Sequence, residues 1–420
     1  MDKAYELIQR RLYDRIDASA AARLPREELA RQLVELVAEI VAEHRLSVGA
    51  REQQELCERL VDDMIGLGPL EPLLRDETVT DIMVNGPYNV YVERRGKLVR
   101  TDVRFRDDQH LLNIAQRIVA RVGRRVDETS PICDARLADG SRVNIVIPPL
   151  ALDGCAISIR KFAKHRITLD TMARQRNVSE ALARVLKIAA ACRLNIVISG
   201  GTGSGKTTLL NALSQLIDPG ERIVTIEDAA ELQLQQPHVV RLETRPPNLE
   251  GVGEVTMRDL VRNALRMRPD RIICGEVRGP EALDMLQAMN TGHDGSMCTL
   301  HANSPREAIT RLENMVTMAT ANLPARAIRQ QIVGAVNLII QVARMRDGVR
   351  RVTHVTEIVG MEGEVVTLQD LFVYEYQGEA PDGTLIGEFK PAPVRPHFLR
   401  RAAYYGLDRA LLAAMRGSEA

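Results

Sequence analysis

The chain has 420 residues, 45% of them hydrophobic and 27% charged, with 56 basic side chains against 56 acidic ones. That length exceeds one ordinary core and points to two or three domains, and the composition excludes a disordered chain. A net charge of zero weighs against a protein that coats DNA or RNA, although it leaves room for local basic patches.

Residues 1–60 read as a helical region. Leu29, Leu33, Leu36, Val37, Ile40 and Val41 recur at helical spacing and make one apolar stripe. Such a stripe suits a helical bundle or a partner-docking helix, and the bundle is the simpler expectation. The opening "MDKAYELIQRRLYDR" is charged and reads as no secretory signal.

From Val79 the apolar period shifts to two, and residues 61–163 read as an α+β domain. Its stretch "DARLADGSRVN" is a hairpin around Asp139-Gly140 with an arginine on each arm. A three-residue loop sets Arg136 directly across from Arg142, where like charges repel. A two-residue loop points the two to opposite faces. The first alternative calls for an anion between them. A plain surface hairpin in an arginine-rich chain is the other reading.

Residues 164–178 read as a linker, and 179–420 as alternating strands and helices with an antiparallel extension. That alternation predicts a doubly wound α/β fold with a parallel sheet. Ser304, Pro305 and Glu307 predict a capping box that opens a helix, and a last helix is expected near Leu407. The apolar run "VGAVNLIIQVA" is too short to span a membrane and holds Asn337 and Gln341.

Within this region "SGGTGSGKTT" holds Gly200, Gly205, Lys206 and Thr207 at GxxxxGK[ST] spacing, between an apolar strand and a helix. Backbone N–H groups of Gly201, Thr202, Gly203, Ser204, Gly205, Lys206, Thr207 and Thr208 would cradle phosphate oxygens. The helix start adds its positive end. Lys206 would neutralise the β- and γ-phosphates of ATP, and Thr207 would ligate Mg²⁺.

Two carboxylates follow at expected strand ends, where open α/β sheets do their chemistry. Glu227 stands in "RIVTIEDAAEL" with Asp228 and Glu231 after it, and Glu276 in "DRIICGEVRG". Either glutamate could orient the attacking water while the other holds Mg²⁺ through water. The residues favour a functional Glu276 and leave Glu227 and Glu231 balanced between function and ordinary loop acids. His293 and His301 bracket the strand of "TGHDGSMCTLHANSP". His301 falls at its carboxyl end, where it could sense a γ-phosphate. Histidines at opposite strand ends with no matching cysteine do not suit a zinc pair. Cys57, Cys133, Cys155, Cys192, Cys274 and Cys298 are scattered without a CxxC pair, so reduced cytosolic thiols are expected.

Taken together, "SGGTGSGKTTLLNAL", "TIEDAAEL", "RMRPDRIICGEVRGPEA" and "TGHDGSMCTLHANSP" resemble the Walker A, Asp box, Walker B and His box of the secretion-superfamily ATPases. "GLGPLEPLL", "DETVTDIMVNGP", "PICDARLADGSRVN" and "ISIRKF" narrow the resemblance to the CpaF/TadA branch, the tight-adherence (type IVc) pilus motors, close to the type IV secretion traffic ATPases. The similarity runs from about Leu67 through the antiparallel extension. It implies a RecA-like ATPase domain, a homo-hexameric ring hydrolysing ATP with Mg²⁺ at subunit interfaces, and work on pilin subunits. It further implies a cytoplasmic protein, peripheral at the inner membrane, docking to platform proteins of a pilus or secretion system, with no nucleic acid involved. In such rings the N-terminal domain offers arginines to the nucleotide; carried over, these are Arg136, Arg142 and Arg160. The resemblance also raises Glu227, His293 and His301 to catalytic candidates beside Glu276 and Lys206. The chain lacks the four-cysteine zinc element common in the type II and type IVa extension branches. Two rival readings stay open at the level of sequence: a nucleic-acid-dependent RecA-like motor and a nucleotide switch with negligible turnover.

Overall fold

The structure, a computed structural model, describes residues 2–21, 23–162, 167–234, 236–247 and 251–417. The chain divides into two compact units, Met1–Lys164 and His165–Ala420.

The first unit begins with helices Asp2–Tyr13, Arg26–Glu43 and Ala50–Ile65. Their apolar faces close on one another. Ile8 and Leu12 meet Leu29, Leu33, Val37 and Ile40 of the stripe, and Leu56 and Leu60 complete the core. Each such buried side chain contributes about 1.5–3 kcal/mol. The stripe therefore serves a bundle, with Leu36 only partly covered.

Six strands follow among the described residues: β1 (Val79–Asn85), β2 (Val90–Arg94), β3 (Lys97–Arg100), β4 (Ile132–Arg136), β5 (Arg142–Val146) and β6 (Ala156–Arg160). They form one antiparallel sheet in the order β3-β2-β1-β6-β5-β4. Alternate residues Ile82, Val84, Val143, Ile145, Ile157 and Ile159 pack under helix Asp108–Arg121 through Leu111, Ile114 and Ile118. The period of two leaves the opposite face to Asp81, Asp134, Arg142, Ser158 and Arg160.

In the second unit nine strands form one sheet among the described residues. They are β7 (Ile196–Gly200), β8 (Ile223–Glu227), β9 (Val239–Glu243), β10 (Arg271–Cys274), β11 (Met297–Leu300), β12 (Leu338–Arg344), β13 (Arg350–Glu362), β14 (Val365–Glu379) and β15 (Leu385–Pro391). The order is β15-β14-β13-β12-β7-β11-β10-β8-β9. Strands β12, β7, β11, β10, β8 and β9 run parallel, and β13, β14 and β15 extend the sheet antiparallel. Strand β11 lies between β7 and β10, as in RecA-like ATPases, so the doubly wound α/β expectation holds. Ile196 and Ile198 face one layer with Leu186, Leu209 and Leu213. Val197 faces the other with Leu286 and Ile332. Burial on both faces explains why "LNIVIS" reads as an unbroken apolar run.

Some sequence expectations shift in detail. "VGAVNLIIQVA" is the end of helix Ala325–Ala335 joined to β12, with Asn337 Oδ1 accepting from the Asn195 N–H at 2.8 Å. Among the described residues no helix is long and apolar enough to cross a membrane. Helix Pro305–Ala319 is capped by Ser304 Oγ, which accepts from the Glu307 N–H at 3.1 Å. Its capping box is only half made: Glu307 accepts from the Asn303 N–H at 2.9 Å, one residue beyond the expected donor. Near Leu407 there are two short helices, Leu399–Tyr404 and Asp408–Met415. The start of the expected linker falls outside the described residues; its described part holds helix Leu169–Arg174.

Candidate active site

The phosphate loop joins β7 to helix Lys206–Ser214. Three of its four glycines, Gly200, Gly203 and Gly205, are sterically required. Gly203 and Gly205 have φ of +70° and +96°, the left-handed region. A Cβ on Gly200 would stand 2.5 Å from Ser204 Oγ and 2.6 Å from the Val342 carbonyl oxygen. The tight turn thus presents backbone N–H groups inward, and Gly201 faces open space.

Lys206 is buried, and its Nζ donates to the carbonyls of Gly200 at 3.0 Å and Gly201 at 2.8 Å. Burial pushes its ammonium below the usual lysine range, partly opposed by the charge of Glu276. The same Nζ is 3.5 Å from His301 Nε2, and Thr202 Oγ1 lies 3.1 Å from that nitrogen.

On its other side the His301 ring meets Glu276. Nδ1 pairs with Glu276 Oε1. A carboxylate only accepts, so Nδ1 carries the proton, and Nε2 accepts from Lys206 and Thr202. Glu276 Oε2 accepts from Arg278 Nη2 at 2.6 Å, and Arg278 Nη1 is 3.6 Å from Asp228 Oδ2. Both Glu276 oxygens are thereby occupied. Burial alone would raise its carboxyl, but the bonds from Arg278 and His301 outweigh it and hold it below the usual range.

Glu227 is built the opposite way. It is the last residue of β8, 4% exposed, and its Oε1 accepts from the Glu231 and Leu232 N–H groups, both at 2.9 Å. Its Oε2 is buried with no hydrogen-bond partner. Burial pushes the carboxyl up, against those two N–H bonds. Gly275 makes the room: a Cβ there would come within 2.8 Å of Glu227 Cγ. Glu227 and Glu276 are neighbours because β8 and β10 run side by side, with the Gly275 N–H donating to the Ile226 carbonyl at 2.8 Å.

The structure therefore brings Lys206, Thr202, His301, Glu276 and Glu227 together at the carboxyl ends of β7, β8, β10 and β11. It does not bring His293 there. His293 precedes β11, and its Nδ1 is 3.1 Å from the Ala288 carbonyl oxygen. Four strand residues, about 13 Å, separate the two strand ends. Glu231 takes part through its backbone N–H. Reading the sequence missed Arg278, although it stands two residues after Glu276. It also missed Arg350, whose Nε donates to the Gly203 carbonyl at 2.8 Å across 147 positions; nothing local signals that contact.

In the first unit the hairpin register is settled. Arg136 pairs with Arg142, and Arg142 pairs with Arg160 on the next strand. The loop is the three-residue form, with Gly140 at φ +90° and its N–H donating to the Leu137 carbonyl at 2.9 Å. Three cations thus stand in a cross-strand row, continued by Asp81 opposite Arg160. Arg160 Nε is 3.1 Å from Asp81 Oδ1, and Arg142 Nη2 is 3.6 Å from Asp134 Oδ2. The two aspartates offset part of the repulsion. A hollow of ≈ 190 Å³ lies on this face, lined by Asp81, Asp134, Arg142, Asn144, Ser158 and Arg160 among others.

Residues 63–366 match the family of type II/IV secretion system proteins. A Mycobacterium tuberculosis protein named for conjugal transfer is 41% identical over 312 residues, covering 73% of this chain and 88% of that protein. The conjugal transfer protein TrbB of Rhizobium radiobacter is 37% identical over 292 residues, 68% of this chain and 86% of its own length. The type IV secretion system protein VirB11 of Bartonella quintana is 29% identical over 325 residues, 69% and 91% of the two chains. The crystal structure of the VirB11 ATPase of the Brucella suis type IV secretion system, 31% identical, covers 68% of this chain and 94% of its own, at a TM-score of 0.37. With so low a score the assignment rests on sequence.

Proposed function

Because this chain belongs to the type II/IV secretion system ATPase family, we propose that it is a cytoplasmic motor that hydrolyses ATP to drive a pilus or secretion machine, at the finest level one of the tight-adherence (CpaF/TadA) type. The observation that carries the ATPase chemistry is the run of contacts Lys206–His301–Glu276–Arg278 beside the unpartnered Glu227 oxygen.

The glycine-rich phosphate loop and its hard oxygen donors fit Mg²⁺-bound ATP. Lys206 would exchange its two carbonyl partners for β- and γ-phosphate oxygens. The Thr207 hydroxyl, with Glu276 through water, would hold Mg²⁺, which offsets charge on the transferring phosphoryl group. Thr202 and His301 would read the γ-phosphate. Glu227 is the better acceptor for the proton of the attacking water. Its buried oxygen keeps its lone pairs, and burial raises its basicity. Glu276, engaged at both oxygens and held acidic, suits orientation instead. Of the two arrangements left open by the sequence, this gives the proton of the water to Glu227 and the metal side to Glu276.

Arg136, Arg142 and Arg160 are proposed to complete the pocket of a neighbouring copy in a homo-hexamer, as planar cations that offset transition-state charge. Partners of this kind would be inner-membrane platform proteins, which a peripheral protein reaches without a membrane span. His293 keeps at most an indirect role.

Steady-state phosphate release tests the reading. Lys206→Ala abolishes turnover. Glu227→Gln keeps ATP binding and lowers turnover by about 10²-fold or more. Normal turnover in Glu227→Gln sinks the assignment of the base. Measured mass with and without a non-hydrolysable ATP analogue tests the ring, and a strict monomer in both states removes the shared site.

A further inference from the structure

The turn between β12 and β13 lies against the phosphate loop. Arg344 and Arg350 face each other at its base. Arg350 Nε donates to the Gly203 carbonyl at 2.8 Å, and its stem crosses Gly205 so closely that a Cβ there would stand 3.1 Å from Arg350 Cδ. The arginine is itself held from behind. Asn177 Nδ2 donates to the Arg350 carbonyl at 2.6 Å, and the Val352 N–H donates to the Asn177 carbonyl at 3.0 Å. The turn is stiffened by Arg351, which pairs with Asp347 through both ends of its guanidinium at 3.0 and 2.8 Å, both side chains buried.

We infer that Arg350 is a positioning residue that sets the phosphate loop in its anion-binding shape, with Asn177 as its support. A trans peptide points its C=O and the following N–H in opposite directions. Holding the Gly203 carbonyl outward therefore aims the Ser204 N–H into the cradle. That N–H donates to the Gly201 carbonyl at 3.4 Å, the same carbonyl that accepts from Lys206 Nζ, so it is on the Lys206 side of the loop. Gly203 sits at φ +70°, and glycine has the freedom to turn this peptide over. The bond from Arg350 opposes that turn, so the loop is ordered before ATP arrives and ordering costs less affinity on binding.

The inference rests on the ATPase reading, and the test separates the two. Binding of a fluorescent ATP analogue with Mg²⁺, KM and kcat are measured on the full chain for wild type, Arg350→Ala, Arg350→Lys, Asn177→Ala and Lys206→Ala. Arg350→Ala raises Kd and KM about tenfold, the loss expected for one hydrogen bond from a charged donor. Its kcat at saturation stays within about threefold, because the loop reaches its working shape once filled. Arg350→Lys recovers most of the affinity, and Asn177→Ala shows a smaller rise in KM, about threefold. A merely structural arginine would lower Tm without splitting KM from kcat. If Arg350→Ala does not fold, the Lys and Asn177 variants decide by the same split. Wild-type affinity in Arg350→Ala, or a fall in kcat at unchanged KM, overturns the inference. Wild-type turnover in Lys206→Ala instead overturns the ATPase reading.

Discussion

Gly275→Ala gives the sharpest test of how the site is assembled. Gly275 follows β10, and its backbone is not in the left-handed region, so alanine is conformationally permitted. The obstacle is one atom: the new Cβ would stand 2.8 Å from Glu227 Cγ. Carbon atoms rest at about 3.5–4.0 Å, so the glutamate must retreat by about 0.7–1.2 Å. Glu227 is held on its other side by the Glu231 and Leu232 N–H groups, so the shift strains those bonds. A displacement of about 1 Å costs roughly 10²-fold in rate. We therefore expect kcat to fall about 10–100-fold, ATP affinity to stay within about threefold, and stability to drop by about 1–3 kcal/mol from overpacking. Stopped-flow phosphate release gives kcat, and thermal melting gives the stability. A double-mutant cycle completes the test. If Gly275 acts only by seating Glu227, adding the alanine to Glu227→Gln slows turnover no further. Wild-type kcat in Gly275→Ala, or full additivity in the cycle, refutes the reasoning.

Other outcomes follow from the same geometry. Burial raises the Glu227 carboxyl above its ordinary 4.5, so its contribution to stability is fully present below that value and is lost as pH rises through the raised one. Glu227→Gln is then more stable than wild type at pH 8, and the difference vanishes below about pH 4.5 in melts across pH. A variant less stable at pH 8 contradicts this. Glu221→Ala strips its partner from the buried Arg271, 2% exposed, and costs about 3–5 kcal/mol in denaturant unfolding. A loss below about 1 kcal/mol shows Arg271 to be satisfied by other groups. Arg142→Ala and Arg160→Ala keep ATP binding but lower turnover about 10³-fold, the scale of a lost arginine finger. Unchanged turnover in both removes these residues from the site.

Local features were legible in sequence where one short segment sets the geometry. The phosphate loop is such a segment: strand, glycines, lysine and helix adjoin, so its course is set locally even though Arg350 holds the Gly203 carbonyl from afar. The register of the Arg136–Arg142 hairpin was narrowed to two forms, and the pairing of Arg136 with Arg142 across the strands selects one. Strand β9 escaped notice because it is a short, half-exposed edge strand with Arg241 and Glu243 in it, and so lacks a clear apolar period. The contrast between the two glutamates was not legible at all. It depends on Arg278 and His301 reaching one carboxylate while Gly275 lets the other slide into a buried slot, and only packing reveals that. The Arg350 contact with Gly203 is likewise a product of sheet order, since β12 lies beside β7 and carries the turn with it.

The antiparallel strands β13, β14 and β15 do more than lengthen the sheet. They move its outer border from the apolar β12 to β15, where Glu388 and Lys390 flank Phe389 and Lys390 pairs with Glu375 at 3.3 Å. The far border, β9, is also charged. Strands ended this way resist zipping onto another chain by backbone hydrogen bonds. In the proposed ring, copies would then meet through side-chain surfaces, which can part and re-form with each turnover, rather than through a continuous ladder built on this sheet.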